Sequence, residues 1–287
     1  MRIKSLKMKD FCGYPSAEFT FGDFSCLIGP NGIGKTTILN AVTLLTSSLD
    51  FKTQKADDSP GGWTPTVSPE QRMKAFLKRN IRNIDDGGKT FRLEGIFEHN
   101  GKDYNVVLTE NGFEKNELLE QPFWWAGLTY FAKFDVDMVN FQLRADLWPR
   151  FKQAYEAVTG YTIEPEIYTE TDLKEKGEDA EVAVGFWLTK PTGKIHCRKC
   201  SAGERKLAKA FTQVVNLEAE RRPEIVLIDN LELHVHYKRH LNMVEEVKDL
   251  FKGMQIIATT HSVTIIEKYE PKQDVIDIEE VLLKGVS

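Results

Sequence analysis

Gly29-Pro30-Asn31-Gly32-Ile33-Gly34-Lys35-Thr36 matches, position for position, the phosphate-binding pattern G-x-x-x-x-G-K-[ST]. The chemistry needs these residue types at this spacing. Glycines let the backbone fold so tightly that successive N–H groups converge on phosphate oxygens, and a following helix adds the positive end of its dipole. Gly29, Asn31, Gly32 and Gly34 form the cradle, Lys35 brings a point charge to the outer phosphates, and the Thr36 hydroxyl can ligate magnesium, with Thr37 beside it. The flanks agree. Ser25-Cys26-Leu27-Ile28 reads as a buried strand running into the loop, and Ile38, Leu39, Val42 and Leu45 share one face of the helix leaving it. The expected ligand is ATP with Mg2+.

Three further stretches lie near the other end. Ile225-Val226-Leu227-Ile228-Asp229 is an apolar strand closed by a carboxylate, a placement from which an acid can hold magnesium, usually through water. Ser201-Ala202-Gly203-Glu204 has the form of a capping box at the start of a helix reaching about Arg221. A glycine-containing helix N-terminus with a free hydroxyl also suits an anion. His261 follows Ile256-Ile257-Ala258-Thr259-Thr260, at a strand end where α/β sheets place ligands. From Cys200 onward strands (224–229, 255–260) and helices (204–221, 237–251) alternate, which predicts an α/β sheet with helices on its faces.

The opening differs. Ile3, Leu6 and Met8, then Phe19, Phe21 and Phe24, alternate with polar residues as in a hairpin. Residues 91–97 and 104–108 alternate around Asn100-Gly101, a favoured hairpin turn. Between these runs, 51–69 carries loop residues and 69–84 predicts an amphipathic helix whose outer face holds Arg72, Lys74, Lys78, Arg79 and Arg82. A strand near 128–134, a helix near 136–158 and an acidic loop over 172–181 complete the middle. The expected organisation is a nucleotide-binding core of 1–50 and 200–287, with 51–199 as an inserted lobe.

Composition narrows the class. The 287 residues carry a formal charge of -5, which argues against coating nucleic acid by bulk charge, while the 69–84 stripe reads first as a solvated face, with a local nucleic-acid contact as the alternative. Four cysteines are too few for a disulfide scaffold, so a reducing cytoplasm is expected. No stretch approaches the roughly 18–20 apolar residues of a membrane span, so any membrane association would need a partner.

Taken together these motifs resemble the ABC ATPases, in the branch that holds SMC, RecF and OLD-type proteins. Cys200-Ser201-Ala202-Gly203-Glu204 resembles their signature, and Glu204, where transporter subunits more often carry Gln, favours this branch over a transporter. Asp229-Asn230-Leu231-Glu232-Leu233-His234-Val235-His236 resembles the magnesium-site strand end and its loop, Thr260-His261-Ser262 the switch histidine, and Met1-Arg2-Ile3 to Lys9-Asp10-Phe11 the start of RecF-like domains. The resemblance implies an ABC ATPase head, and no heptads are sustained long enough here for a coiled-coil arm. It implies a homodimer in which Ser201, Gly203 and Glu204 of one copy face the nucleotide on the other copy's Lys35. It also implies a glutamine or equivalent near the magnesium, for which Gln142 and Asp135 are candidates, and a setting in DNA repair, phage biology or phage defence, with a separate protein effector as the alternative.

Two departures stand out. Asn230 occupies the position of the glutamate that activates water, and an amide cannot take a proton. Hydrolysis is then expected to be slow, unless Glu232 two residues on serves as the base or His261 positions the water well enough without one. The sequence also stops at Ser287, short of the nuclease domain that OLD-type enzymes carry. The C-x-x-C pair Cys197 and Cys200 lacks further ligands at metal spacing, and His234, His236 and His240 read as loop structure. Trp124-Trp125 reads as core.

Overall fold

The computed structural model of the protein describes residues 1–53, 90–118, 129–133, 141, 143–168, 182–220, 224–272 and 274–285. The basic stripe at 69–84, Trp124-Trp125, Asp135, Gln142 and the acidic stretch 172–181 lie outside them.

The alternating N-terminus forms an antiparallel hairpin of β1 (Arg2–Phe11) and β2 (Tyr14–Thr20). β3 (Phe24–Ile28) then runs into the glycine-rich loop, and α1 (Lys35–Thr53) leaves it. Next, β4 (Arg92–His99) and β5 (Lys102–Thr109) join at Asn100-Gly101. Both turn residues have positive φ, 51° and 76°, which lets the turn follow the twist of the strands. β6 (Gly112–Asn116) pairs with β5, so one antiparallel sheet runs β2-β1-β4-β5-β6.

The strand expected near 128–134 is β7 (Thr129–Lys133). The helix expected near 136–158 starts later: Leu143–Arg144 is a short strand, β8, and α2 spans Trp148–Thr159. Pro149 in the first turn presets helical φ there, and Gly160, left-handed at φ 73°, ends the helix. β9 (Thr162–Tyr168), β10 (Val182–Lys190) and β11 (Gly193–His196) follow, with β10 pairing to β8, β9 and β11.

The C-terminal part alternates as its periodicity predicts: α3 (Ala202–Glu220), β12 (Ile225–Asp229), α4 (His240–Leu250), β13 (Gln255–Thr259), α5 (Val263–Tyr269), β14 (Val275–Asp277) and α6 (Ile278–Gly285). The phosphate-loop sheet is parallel, in the order β14-β3-β13-β12-β7. Strands from the 51–199 span thus enter both central sheets: β4–β6 extend the antiparallel one and β7 edges the parallel one, while β8–β11 form a sheet of their own.

Burial explains the layering. A parallel strand covered on both faces reads as an unbroken apolar run, and Ile225 to Ile228 are all 0% exposed. Ile225 and Leu227 join Leu27, Ile257 and the α1 residues Ile38, Leu39, Val42 and Leu45 against the antiparallel sheet. Val226 and Ile228 face the other way, into a core built by α2, α3 and α4 with Phe151, Tyr155, Phe186 and Phe211. Each such burial contributes roughly 1.5–3 kcal/mol. α1 is therefore pinned between two sheets, which anchors the glycine-rich loop at its N-terminus.

One buried polar side chain stitches the sheets together. β1 pairs with β2 only from Ser5 onward, so Ile3 lies beyond the end of that ladder. Gln255 fills the gap: its Oε1 accepts from Ile3 N at 2.8 Å, and its Nε2 donates to Ile3 O and Gly22 O, both at 2.8 Å. Gln255→Leu is therefore expected to strand these backbone groups and cost about 3 kcal/mol, read as a lower denaturant midpoint at unchanged slope. A midpoint within error of the parent would show that water replaces the amide.

Candidate functional site

The site is built at the C-terminal ends of β3, β12 and β13, where parallel strands deliver three loops to one place. Because β3 lies beside β13 and β13 beside β12, residues far apart in sequence become neighbours.

β3 delivers the glycine-rich loop. Gly34 has φ 100° and lies against Tyr14, so that a Cβ there would stand 2.6 Å from the Tyr14 ring. Only glycine satisfies both conditions. The Tyr14 hydroxyl donates to Ile33 O at 3.0 Å and so supports the loop from behind, a role that the period-2 pattern of β2 did not announce. Lys35 is 7% exposed, and its Nζ donates to Gly29 O at 2.8 Å and Pro30 O at 3.0 Å. Burial lowers its proton affinity, against the opposing pull of Asp229 and Glu232. Thr36 and Asn31 are exposed at the lip, and Thr37 is half-buried.

β12 ends in Asp229. Its Oδ2 accepts from Thr36 Oγ1 at 2.9 Å, and its Oδ1 from Thr259 Oγ1 at 2.7 Å. The loop hydroxyl and the strand-end carboxylate, 193 residues apart in sequence, thus meet beside Lys35. Asn230 follows with φ 54°, left-handed, a region asparagine visits more readily than most residues, and its N–H donates to Thr259 Oγ1 at 2.7 Å.

β13 ends in Thr259, then Thr260 and His261. His261 is exposed, while its backbone N–H donates to Glu232 Oε1 at 2.7 Å. Glu232 Oε2 accepts from Thr260 Oγ1 at 2.7 Å. His240 Nε2 lies 3.1 Å from Val235 O and must donate to it, so Nδ1 accepts the Ser262 hydroxyl at 2.7 Å. Among the described residues no His, Cys, Asp and Glu cluster has metal-binding geometry. Cys197 and Cys200 are buried free thiols, the latter pushed up to about 11 by burial.

Ser201, Gly203 and Glu204 sit at the start of α3. The capping box forms in full: Ser201 N and Oγ both donate to Glu204 Oε2 at 2.9 Å, and Glu204 N donates to Ser201 Oγ at 3.3 Å. Lys190, at the end of β10, meets Glu204 Oε1 at 2.5 Å. Burial alone would raise the Glu204 carboxyl, but Lys190 and Ser201 outweigh it and leave it below its usual value. Gly203 packs on His234, whose Cβ would lie 3.2 Å from an added Cβ. The signature helix of one chain therefore rests on that chain's own loop after Asp229. Neither Lys190 nor His234 carries a motif that marks this contact.

What these groups can do follows from their kind. A lysine, convergent backbone donors, and a hydroxyl–carboxylate pair of hard oxygens suit a polyphosphate and its divalent cation.

The chain is 22% identical over 274 residues to Septu protein PtuA of Bacillus mycoides (strain KBAB4), an alignment taking in 82% of this chain and 34% of that one. It thus spans about a third of that relative's length. The SMC head domain from Thermotoga maritima superposes with a TM-score of 0.53 at 17% identity, over 93% of this chain and 92% of that one. An SMC head bound to the C-terminal winged-helix domain of ScpA gives 0.59 at 13% identity, over 96% and 94%. These likenesses establish the SMC-head fold. Residues 1–182, more than half of the chain, match the model of the AAA ATPase domain, and the chain belongs to that family as an ATP-binding ATPase with the SMC-head architecture.

Proposed function

We propose that this chain binds Mg-ATP, closes with a second copy around two nucleotides and hydrolyses them slowly, acting as a switch in phage defence or DNA repair. The observation that carries the reading is the 2.9 Å contact between Thr36 Oγ1 and Asp229 Oδ2 beside Lys35. Hard oxygens are the donors magnesium prefers, so Thr36 and Asp229 fit the ion and would hold it, Asp229 through water. Bound there, magnesium would neutralise charge on the outer phosphates. Lys35 would exchange its loop carbonyls for phosphate oxygens, and the N–H groups of Gly32 to Thr37 would line the rest. His261, exposed at the end of β13, would face the γ-phosphate. Ser201 and Gly203 would complete the other copy's site, with the N-terminus of α3 aimed at phosphate. The similarity to a Septu protein supports defence as the setting.

The dimer is testable by solution mass. Wild type should double its mass on adding Mg-ATP. Ser201→Arg puts a long side chain on the surface that must close and should stay monomeric while still binding ATP. The lost cap costs about 1 kcal/mol, too little to unfold the domain. A mutant that dimerises like wild type, or a wild type whose mass ignores ATP, would overturn the head-to-tail arrangement.

A further inference from the structure

We infer that Glu232 and Thr260 are positioning residues that aim His261 at the nucleotide, and that Glu232 does not stand in as the general base missing at Asn230. The inference rests on the ATPase reading of the site given above.

Glu232 is the only carboxylate within three residues of Asp229 on the loop that follows it, so by chemistry alone it would be the natural replacement base. The geometry gives it another task. Its two oxygens are divided between two donors of one neighbouring segment, the His261 backbone N–H and the Thr260 hydroxyl, each at 2.7 Å. A base must instead bring an oxygen within hydrogen-bond reach of the attacking water. Thr260 is 0% exposed and held on every side: its N–H donates to Leu27 O at 3.2 Å, and its Oγ1 accepts from Ser262 N at 3.0 Å. Leu27 lies on the strand that becomes the phosphate loop. The segment Thr260-His261-Ser262 is thus tied to β3 on one side and to the loop after Asp229 on the other.

Two consecutive threonines make this a clasp. Thr259 Oγ1 donates to Asp229 Oδ1 at 2.7 Å, and Thr260 Oγ1 donates to Glu232 Oε2 at 2.7 Å. The end of β13 therefore grips the β12 loop at both of its carboxylates. His240 adds a third tie, from Val235 O to the Ser262 hydroxyl. Within this frame the backbone of His261 is fixed while its imidazole is exposed, which is the arrangement a phosphate-sensing side chain needs. A shift of Asp229 as it engages the cation would be passed through Thr259 and Thr260 to His261.

The experiment compares Glu232→Ala, Glu232→Gln and Thr260→Val, alone and in a His261→Ala background, by Mg-ATP affinity, single-turnover phosphate release and hydrogen exchange at the His261 amide. Glu232→Ala and Thr260→Val should slow phosphate release about tenfold, with ATP affinity changed less than threefold. Glutamine keeps an acceptor for the His261 N–H, so Glu232→Gln should recover most of what Glu232→Ala loses. In the His261→Ala background the same changes should add little, because they act through the ring already removed. Exchange at the His261 amide should rise about tenfold in Glu232→Ala and less in Glu232→Gln, a readout independent of turnover; Thr260→Val, close in shape to threonine, keeps the test open should the alanine variant fold poorly. Equal loss in Glu232→Gln and Glu232→Ala would make Glu232 the base and overturn the inference. So would a full additive loss without the His261 ring, or faster exchange with unchanged turnover. Failure of the ATPase reading would show separately, as wild type that does not bind Mg-ATP.

Discussion

Asn230→Glu raises the rate of ATP hydrolysis by about 10²-fold or more, the expected result of supplying a positioned base where the parent has an amide. Asparagine accepts hydrogen bonds but cannot take the proton that the attacking water must lose. On the proposed reading, binding would rest on Lys35, Thr36 and Asp229, which converge at the loop, so the closed dimer should form readily and open slowly. The gain has an upper limit set by the backbone. Asn230 has φ 54°, and residues other than glycine, asparagine and aspartate pay roughly 1–2 kcal/mol to sit there. Asn230→Asp is the control: it tolerates the same backbone and can accept a proton, yet is a methylene short, so it should accelerate hydrolysis less than Asn230→Glu. Phosphate release at saturating Mg-ATP measures both. Wild-type turnover near the enzyme median of about 10 s⁻¹ would defeat the slow-switch reading outright.

Lys35→Ala should weaken Mg-ATP binding by about 100-fold or more. An ammonium that hydrogen-bonds phosphate oxygens contributes on the order of 1.5–3 kcal/mol per bond, and about 2.7 kcal/mol is already two decades of affinity. The side chain is nearly buried and reaches back to Gly29 O and Pro30 O, so its loss also loosens the loop that must present the backbone donors. The fold should survive, because α1 is held by Ile38, Leu39, Val42 and Leu45 between the two sheets. Calorimetric titration with Mg-ATP gives the affinity, and a thermal melt without nucleotide checks folding. Unchanged affinity in a folded variant would mean that the nucleotide binds elsewhere.

Several elements were legible because the physics behind them is local. The phosphate loop, the capping box of Ser201 and Glu204, the turn at Asn100-Gly101 and the apolar run of β12 each depend on groups within a few residues of one another. Alternation and capping chemistry act at that range, so residue type and spacing suffice. The start of α2 was misplaced because the apolar pattern of 136–158 continues through β8, and only the proline in the first turn marks where the helix begins.

By itself, then, the sequence determined the class of chemistry, the strand ends proposed to carry it and the asparagine at position 230. Tertiary structure decided which of these groups touch. Thr36 meets Asp229 across 193 residues, and Glu232 meets Thr260 and His261 across 28 and 29, because β3, β13 and β12 lie side by side. Sheet order is a property of the whole packed core, where α1 is trapped between two sheets and the helices cover the far face. No local pattern encodes it, and so it was packing that set Glu232, a lone carboxylate in the sequence, against Thr260 and His261.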